Sequence, residues 1–224
     1  MTRIIPLVTF YFDPISPYVW LAGKEIARIE AAGCAVHVEP VLIAALLNAF
    51  DIKGPAEIPV KRVHTFRDVM RLAAARGLEF RGPPGHPFNS LLALRMSLTL
   101  EQAERRCFAL ALSEACWERG LDLSDPAVLI EIARGCGLDG DAMAERAGRA
   151  DIKQALKDST GRAIAAGVFG LPTFALDGAL FWGADRVDSL LWHVAGHRID
   201  EAALNAFLRR PALAQRKPPA HKTD

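Results

Sequence analysis

Ser16 is the first residue whose setting could serve chemistry, because it precedes Pro17 at the head of a helix-compatible stretch. A capping hydroxyl followed by a first-turn proline is the usual way to start a helix. On that reading Ser16 would satisfy a backbone amide and nothing more. The same position offers a second use. The first amides of a helix are unpaired and carry partial positive charge, so an anion or thiolate is stabilised there. A hydroxyl at that point can donate a hydrogen bond to it. No histidine stands close in sequence to make Ser16 itself a nucleophile. A second candidate is Leu171-Pro172-Thr173, where a proline opens a strand. That is ordinary at a strand start, and cis X-Pro bonds are uncommon in general.

Metal and thiol chemistry find little support. Cys34, Cys107, Cys116 and Cys136 form no C-x-x-C pair and show no ligand spacing. Their apolar surroundings suggest buried thiols in a reducing compartment. His193 and His197 are four apart but lack an acidic or cysteine partner, and His37, His64, His86 and His221 are scattered, so no metal is expected.

The elements that must position these residues follow from periodicity. Leu7–Phe12 is rich in aromatic and β-branched residues and predicts a buried strand. Val19, Ala22, Ile26 and Ile29 then repeat at helical spacing up to Gly33, and Ala35–Val41 alternates as a second strand, which completes a βαβ unit. From Pro59 to Leu171 the pattern is helical. Val63, Phe66, Met70 and Ala73 share one face of its first helix, and further helices are expected near 88–97, 100–119, 125–134, 139–147 and 149–166. Strand character returns at Thr173–Leu176 and Ala179–Trp182, joined by Asp177-Gly178, a strong hairpin signal. Helices near 185–195 and 200–208 follow, and the basic, proline-bearing segment 209–224 is expected to be disordered. The pattern alone gives a mixed sheet interrupted by a helical insertion.

Composition narrows the class. The 224 residues are 51% hydrophobic and 24% charged, enough for a substantial core without disulfides. A net charge of +1 supplies no global basic field for nucleic acid. The apolar run Val41–Leu47 is far shorter than the roughly 20 residues that cross a bilayer. The apolar N-terminal stretch meets Pro6 and Asp13 without a small-residue cleavage site, so it reads as a strand, and a cytoplasmic location is expected.

Three segments in order carry a family resemblance: Phe12-Asp13-Pro14-Ile15-Ser16-Pro17-Tyr18 with Trp20-Leu21, Gly167 to Thr173, and Phe181-Trp182-Gly183-Ala184-Asp185-Arg186. Together they resemble the 2-hydroxychromene-2-carboxylate isomerase family, grouped with the kappa-class glutathione transferases in the DsbA-type branch of the thioredoxin superfamily. The resemblance spans about residues 5–195. It implies an α/β, thioredoxin-like mixed sheet with a large all-helical insertion, divided as 1–50 plus 167–208, an inserted 51–166, and the tail 209–224. In redox relatives a C-x-x-C begins the first helix. Ser16-Pro17-Tyr18-Val19 holds that place here, so dithiol exchange is not expected.

The resemblance further implies glutathione as cofactor, with Ser16 donating a hydrogen bond to its thiolate. Pro172 would be cis, and the backbone of Leu171 would pair with the glutathione cysteine as an added strand. Asp185 and Arg186 would take the ammonium and carboxylate of the γ-glutamyl end, where otherwise they are a solvated helix start. Trp182 would line the same site, although a lone hairpin aromatic is commonly core. Lys61 aligns with a family lysine near glutathione and substrate, although a lysine among arginines is commonly just solvated. Phe88-Asn89-Ser90 resembles a Tyr-Asn-Ser segment at the isomerase substrate site, with phenylalanine replacing the tyrosine. The implied activity is reversible interconversion of 2-hydroxychromene-2-carboxylate and trans-o-hydroxybenzylidenepyruvate, small aromatic carboxylates of naphthalene catabolism, by a cytoplasmic homodimer. Two alternatives stay open: a kappa-type transferase or peroxidase acting on other electrophiles, and a non-catalytic glutathione- or peptide-binding protein.

Overall fold

The structure is a computed structural model that describes residues 5–214. Strand β1 (Leu7–Phe12) alternates as its sequence predicts, burying Val8, Phe10 and Phe12 on one face. It pairs in parallel with β2 (Ala35–Pro40), in register from Leu7↔Ala35 to Phe12↔Pro40. On its other side it pairs antiparallel with β3 (Thr173–Leu176), which pairs antiparallel with β4 (Ala179–Trp182). The sheet order is therefore β2-β1-β3-β4. Asp177 and Gly178 both have positive φ (51° and 81°), the backbone of a tight hairpin turn that matches strand twist.

This register decides where chemistry can be assembled. Tyr11 lies opposite Thr173, and Thr173 opposite Trp182. The loop leaving β1 is thereby brought beside the residues entering β3, with the end of β4 next to both. Ser16, Pro172 and Trp182, far apart in sequence, converge at one end of the sheet.

The expected single helix from Ser16 to Gly33 is two. Helix α1 (Pro17–Gly23) ends in a tight turn in which the Glu25 amide reaches back to the Ala22 carbonyl, and α2 (Ile26–Ala31) follows. A side chain at Gly23 would lie 2.9 Å from Leu110, so glycine allows the close packing of α1. The apolar spacing survives the break, and periodicity could not reveal it. The run Val41–Leu47 contributes to a further helix, α3 (Ile43–Ala49).

Between α3 and β3 the chain is helical: α4 (Pro59–Ala75), α5 (Leu91–Leu98), α6 (Gln102–Trp117), α7 (Pro126–Gly135), α8 (Gly140–Ala147) and α9 (Ala150–Ala165). Helix α6 buries Phe108, Leu112, Cys116 and Trp117, and the Gln102 side chain bonds both the amide and the carbonyl of Val38, occupying the edge of β2. Helices α10 (Val187–Val194) and α11 (Glu201–Leu208) follow β4. The expected tail is exposed and irregular over 209–214, and its remainder lies outside the described residues.

The cysteines need a correction. Cys34 and Cys116 are buried, but Cys136 is only partly so and Cys107 is exposed, because it falls on the outer face of α6. Burial pushes the thiols of Cys34, Cys116 and Cys136 up, the last to about 12 with Cys107 beside it.

A close helix contact gives a stability prediction. A Cβ at Gly140 would lie 2.5 Å from the Ile130 carbonyl oxygen and 2.9 Å from its Cα, backbone that cannot step aside. Gly140→Ala should cost roughly 1–3 kcal/mol. A denaturant midpoint equal to that of the wild type would refute the tight α7–α8 packing.

Candidate functional site

The site is built on the loop between β1 and α1. Asp13 is fully buried at 0% exposure, and its carboxylate accepts hydrogen bonds from the amides of Ile15 (3.2 Å) and Ile43 (3.1 Å). The Ser90 side chain lies near it and favours the ionised form. Burial outweighs these bonds and pushes its pKa up to about 6. The loop carbonyls are held as well. The Ser16 amide donates to Asp13 O, the Trp117 indole to Pro14 O at 2.9 Å, and the His86 ring to Ile15 O at 3.0 Å. None of these partners was legible from sequence except as a turn aspartate ahead of a helix.

Ser16 occupies the N-cap position of α1 but does not cap it. No side-chain capping bond forms, and the hydroxyl instead donates to the Leu171 carbonyl at 3.4 Å. Its own helix therefore leaves the hydroxyl free for other work. The helix is only seven residues long and Pro17 supplies no amide, so the hydroxyl is the stronger asset. Ser16 is 8% exposed, and the Leu171–Pro172 peptide bond beside it is cis.

Leu171 and Pro172 form one wall of a cavity of about 520 Å³. Trp182, Asp185 and Arg186 line it from the β4–α10 side, and Tyr18, Asp68, Leu72 and Arg76 line it from α1 and α4. Trp182 is not core. It is 52% exposed, and its indole lies against Gly170, where a Cβ would come within 2.7 Å of Nε1. Asp185 does not cap α10. It accepts from Arg186 at 2.6 Å, leaving an adjacent carboxylate and guanidinium at the cavity rim. Tyr18 donates to Asp68 at 2.8 Å, and burial, with Asp68 beside it, pushes the phenol up.

Ser16, Lys61, Phe88 and Asn89 are absent from this lining, Ser16 standing behind it with its hydroxyl on the Leu171 carbonyl. Lys61 is exposed on α4, in helical register with Asp68 two turns and Leu72 three turns further on. Phe88 is half-buried beside His86, and the Asn89 side chain accepts from the Leu91 amide at the start of α5. Among the described residues no group of three or more His, Cys, Asp or Glu is placed to hold a metal, and no helix is long and apolar enough to cross a membrane.

A four-stranded mixed sheet with a helical insertion and a cis-proline facing the first helix defines a class. Residues 7–195 match the DSBA-like thioredoxin domain, and the chain belongs to that family. Its relatives are more particular. It is 30% identical over 191 residues to the 2-hydroxychromene-2-carboxylate isomerase of Sphingobium xenophagum, covering 82% of this chain and 95% of that one. It is 25% identical over 214 residues to human glutathione S-transferase kappa 1, covering 85% and 91% of the two chains. The solved structure of a 2-hydroxychromene-2-carboxylate isomerase superimposes with a TM-score of 0.76 at 23% identity, covering 91% of this chain and all of the other. The homologues are isomerases and glutathione transferases, which supports an enzyme.

Proposed function

We propose that the protein is a glutathione-dependent isomerase that interconverts 2-hydroxychromene-2-carboxylate and trans-o-hydroxybenzylidenepyruvate. The observation that carries the reading is the Ser16 hydroxyl, spared from capping and set against the Leu171 carbonyl beside the cavity. The cavity suits glutathione on its own chemistry. Asp185 and Arg186 present complementary charges to a zwitterionic amino-acid head, and the backbone of Leu171 offers peptide groups to an extended tripeptide. No cysteine lines it, which fits a site that borrows its sulfur.

When bound, glutathione would supply a thiolate that adds to the conjugated carbon of the ring-opened acid and departs after rotation about the new single bond. The residues have separable tasks. Ser16 donates to the sulfur and favours its ionised form, Asp185 and Arg186 hold the γ-glutamyl end, and Trp182 shields one flank from water. Lys61, from the exposed end of α4, would steer the pyruvate carboxylate, with Phe88 and Asn89 towards the substrate. The proposal extends to a cytoplasmic homodimer with domain divisions near residues 50 and 166.

Removal of the guanidinium tests the binding half. Arg186→Ala should raise the KM for glutathione about tenfold with little change in kcat, since the lost contact is made equally before and during reaction. An unchanged KM would remove Arg186 from the site.

A second reading, a kappa-type transferase acting on other electrophiles, is favoured by Phe88, which lacks the hydroxyl of the isomerase-branch tyrosine. Incubation of either isomer with catalytic glutathione discriminates the two. The isomerase reading requires both isomers to reach one equilibrium mixture with glutathione conserved. Stoichiometric loss of glutathione to a conjugate would instead establish the transferase.

A further inference from the structure

His86 stands in an aromatic box that does not explain it. Its ring meets Phe66 at 5.2 Å, Trp117 at 5.6 Å and Phe88 at 6.3 Å, all edge-on. Nε2 lies 3.0 Å from the Ile15 carbonyl, which can only accept, so the proton sits on Nε2. Nδ1 is then a buried acceptor, and it has no hydrogen-bond partner. An unpaired buried acceptor is costly, and a phenylalanine would fill the same box without it. The contact that a phenylalanine could not make is the one to Ile15.

That contact is half of a pair. Trp117, from the same box, donates to the carbonyl of Pro14. Two ring N–H groups of the helical insertion thus hold the two consecutive carbonyls that lead into Ser16, and neither ring lines the cavity. Burial, with Arg62 adding to it, lowers the proton affinity of His86, so the ring stays neutral at neutral pH and keeps this single-donor form.

We propose that His86 is a positioning residue for Ser16: together with Trp117 it fixes the peptide that presents the Ser16 hydroxyl to the sulfur of a bound thiol. The last step rests on the glutathione reading, whereas the hold on Ser16 does not. It also gives the insertion a hold on the loop that carries Ser16, beyond the α4 side chains Asp68, Leu72 and Arg76 that line the cavity.

Amide hydrogen exchange on wild type, His86→Phe and His86→Gln tests it, with Phe10 and Leu112 as core controls. In His86→Phe the Ser16 amide should exchange about tenfold faster while the controls hold. The fraction of bound glutathione present as thiolate should fall, with its affinity within about twofold. Glutamine, which keeps an N–H donor, should recover part of both effects. Unchanged Ser16 protection in His86→Phe would overturn the proposal, as would an equal loss at Phe10 and Leu112. Ring-nitrogen resonances of the wild type give a check that needs no variant: a proton on Nδ1 alone would also overturn it. If Ser16 exchange responds but wild type ionises no glutathione, the hold on Ser16 is upheld and the cofactor reading is what fails.

Discussion

Ser16→Ala is expected to lower glutathione-dependent turnover by about a hundredfold, the usual cost of removing one donor aimed at developing or resident negative charge. The loss should fall on kcat and kcat/KM together, because the hydroxyl acts on the sulfur rather than on the charged ends of the cofactor. Folding should be little affected. The hydroxyl makes no capping bond, and its contact with Leu171 is long at 3.4 Å. If Ser16 were an ordinary N-cap, the pattern would be reversed, with about 1 kcal/mol of stability lost and turnover intact. Steady-state kinetics beside a denaturant melt separate the two, and intact turnover sinks the catalytic assignment.

Asp13→Ala should give the largest loss of stability. The variant strands the buried amides of Ile15 and Ile43, and it should cost about 3 kcal/mol near pH 5, where the acid is mostly neutral. Its pH dependence has a definite sign. The folded-state pKa is pushed up from 3.8 to about 6 by burial, so the folded protein binds more protons than the unfolded chain between those values. The stability this group contributes is fully present below pH 3.8 and lost as pH rises through 6. Between those limits the advantage of wild type over Asp13→Ala should shrink with rising pH. Paired melts across this window check it, and a constant or widening gap would contradict the assignment of Asp13 as a buried, neutral-favouring acid.

What could be read from the chain in advance follows the range of the interactions. Strands β1, β3 and β4 and the Asp177-Gly178 turn are set by alternation and by local turn chemistry, and they lie where the pattern predicts. The helices of the insertion likewise fall within a few residues of where they are expected, although Val63 and Met70, expected on the apolar face of α4, are exposed and Val69 is buried with Ala73 instead. The break between α1 and α2 is invisible to periodicity, because a tight turn at Lys24-Glu25 leaves the apolar stripe in phase.

The site was legible only in its sheet-borne half. Ser16, Leu171, Pro172, Trp182, Asp185 and Arg186 are carried by motifs, and the sheet register brings them to one place. The partners from the insertion could not be found that way. His86 and Trp117 reach the loop across separations of 71 and 103 residues, and Tyr18 meets Asp68 across 50. Nothing local distinguishes these rings and carboxylates from core aromatics and surface charge. The one available hint was compositional: His86 and Asn89 stand in a glycine- and proline-rich loop, more polar than a core connection needs.

The central claim is that this chain binds glutathione and holds it as a thiolate. A titration of glutathione into the protein at neutral pH, followed by the ultraviolet absorbance of the thiolate, tests it most directly. Free glutathione, with a thiol pKa of about 8.5, is mostly protonated there. The account predicts a saturable thiolate signal on wild type that Ser16→Ala largely abolishes while binding persists. Saturable binding without ionisation, or no binding at all, would contradict it.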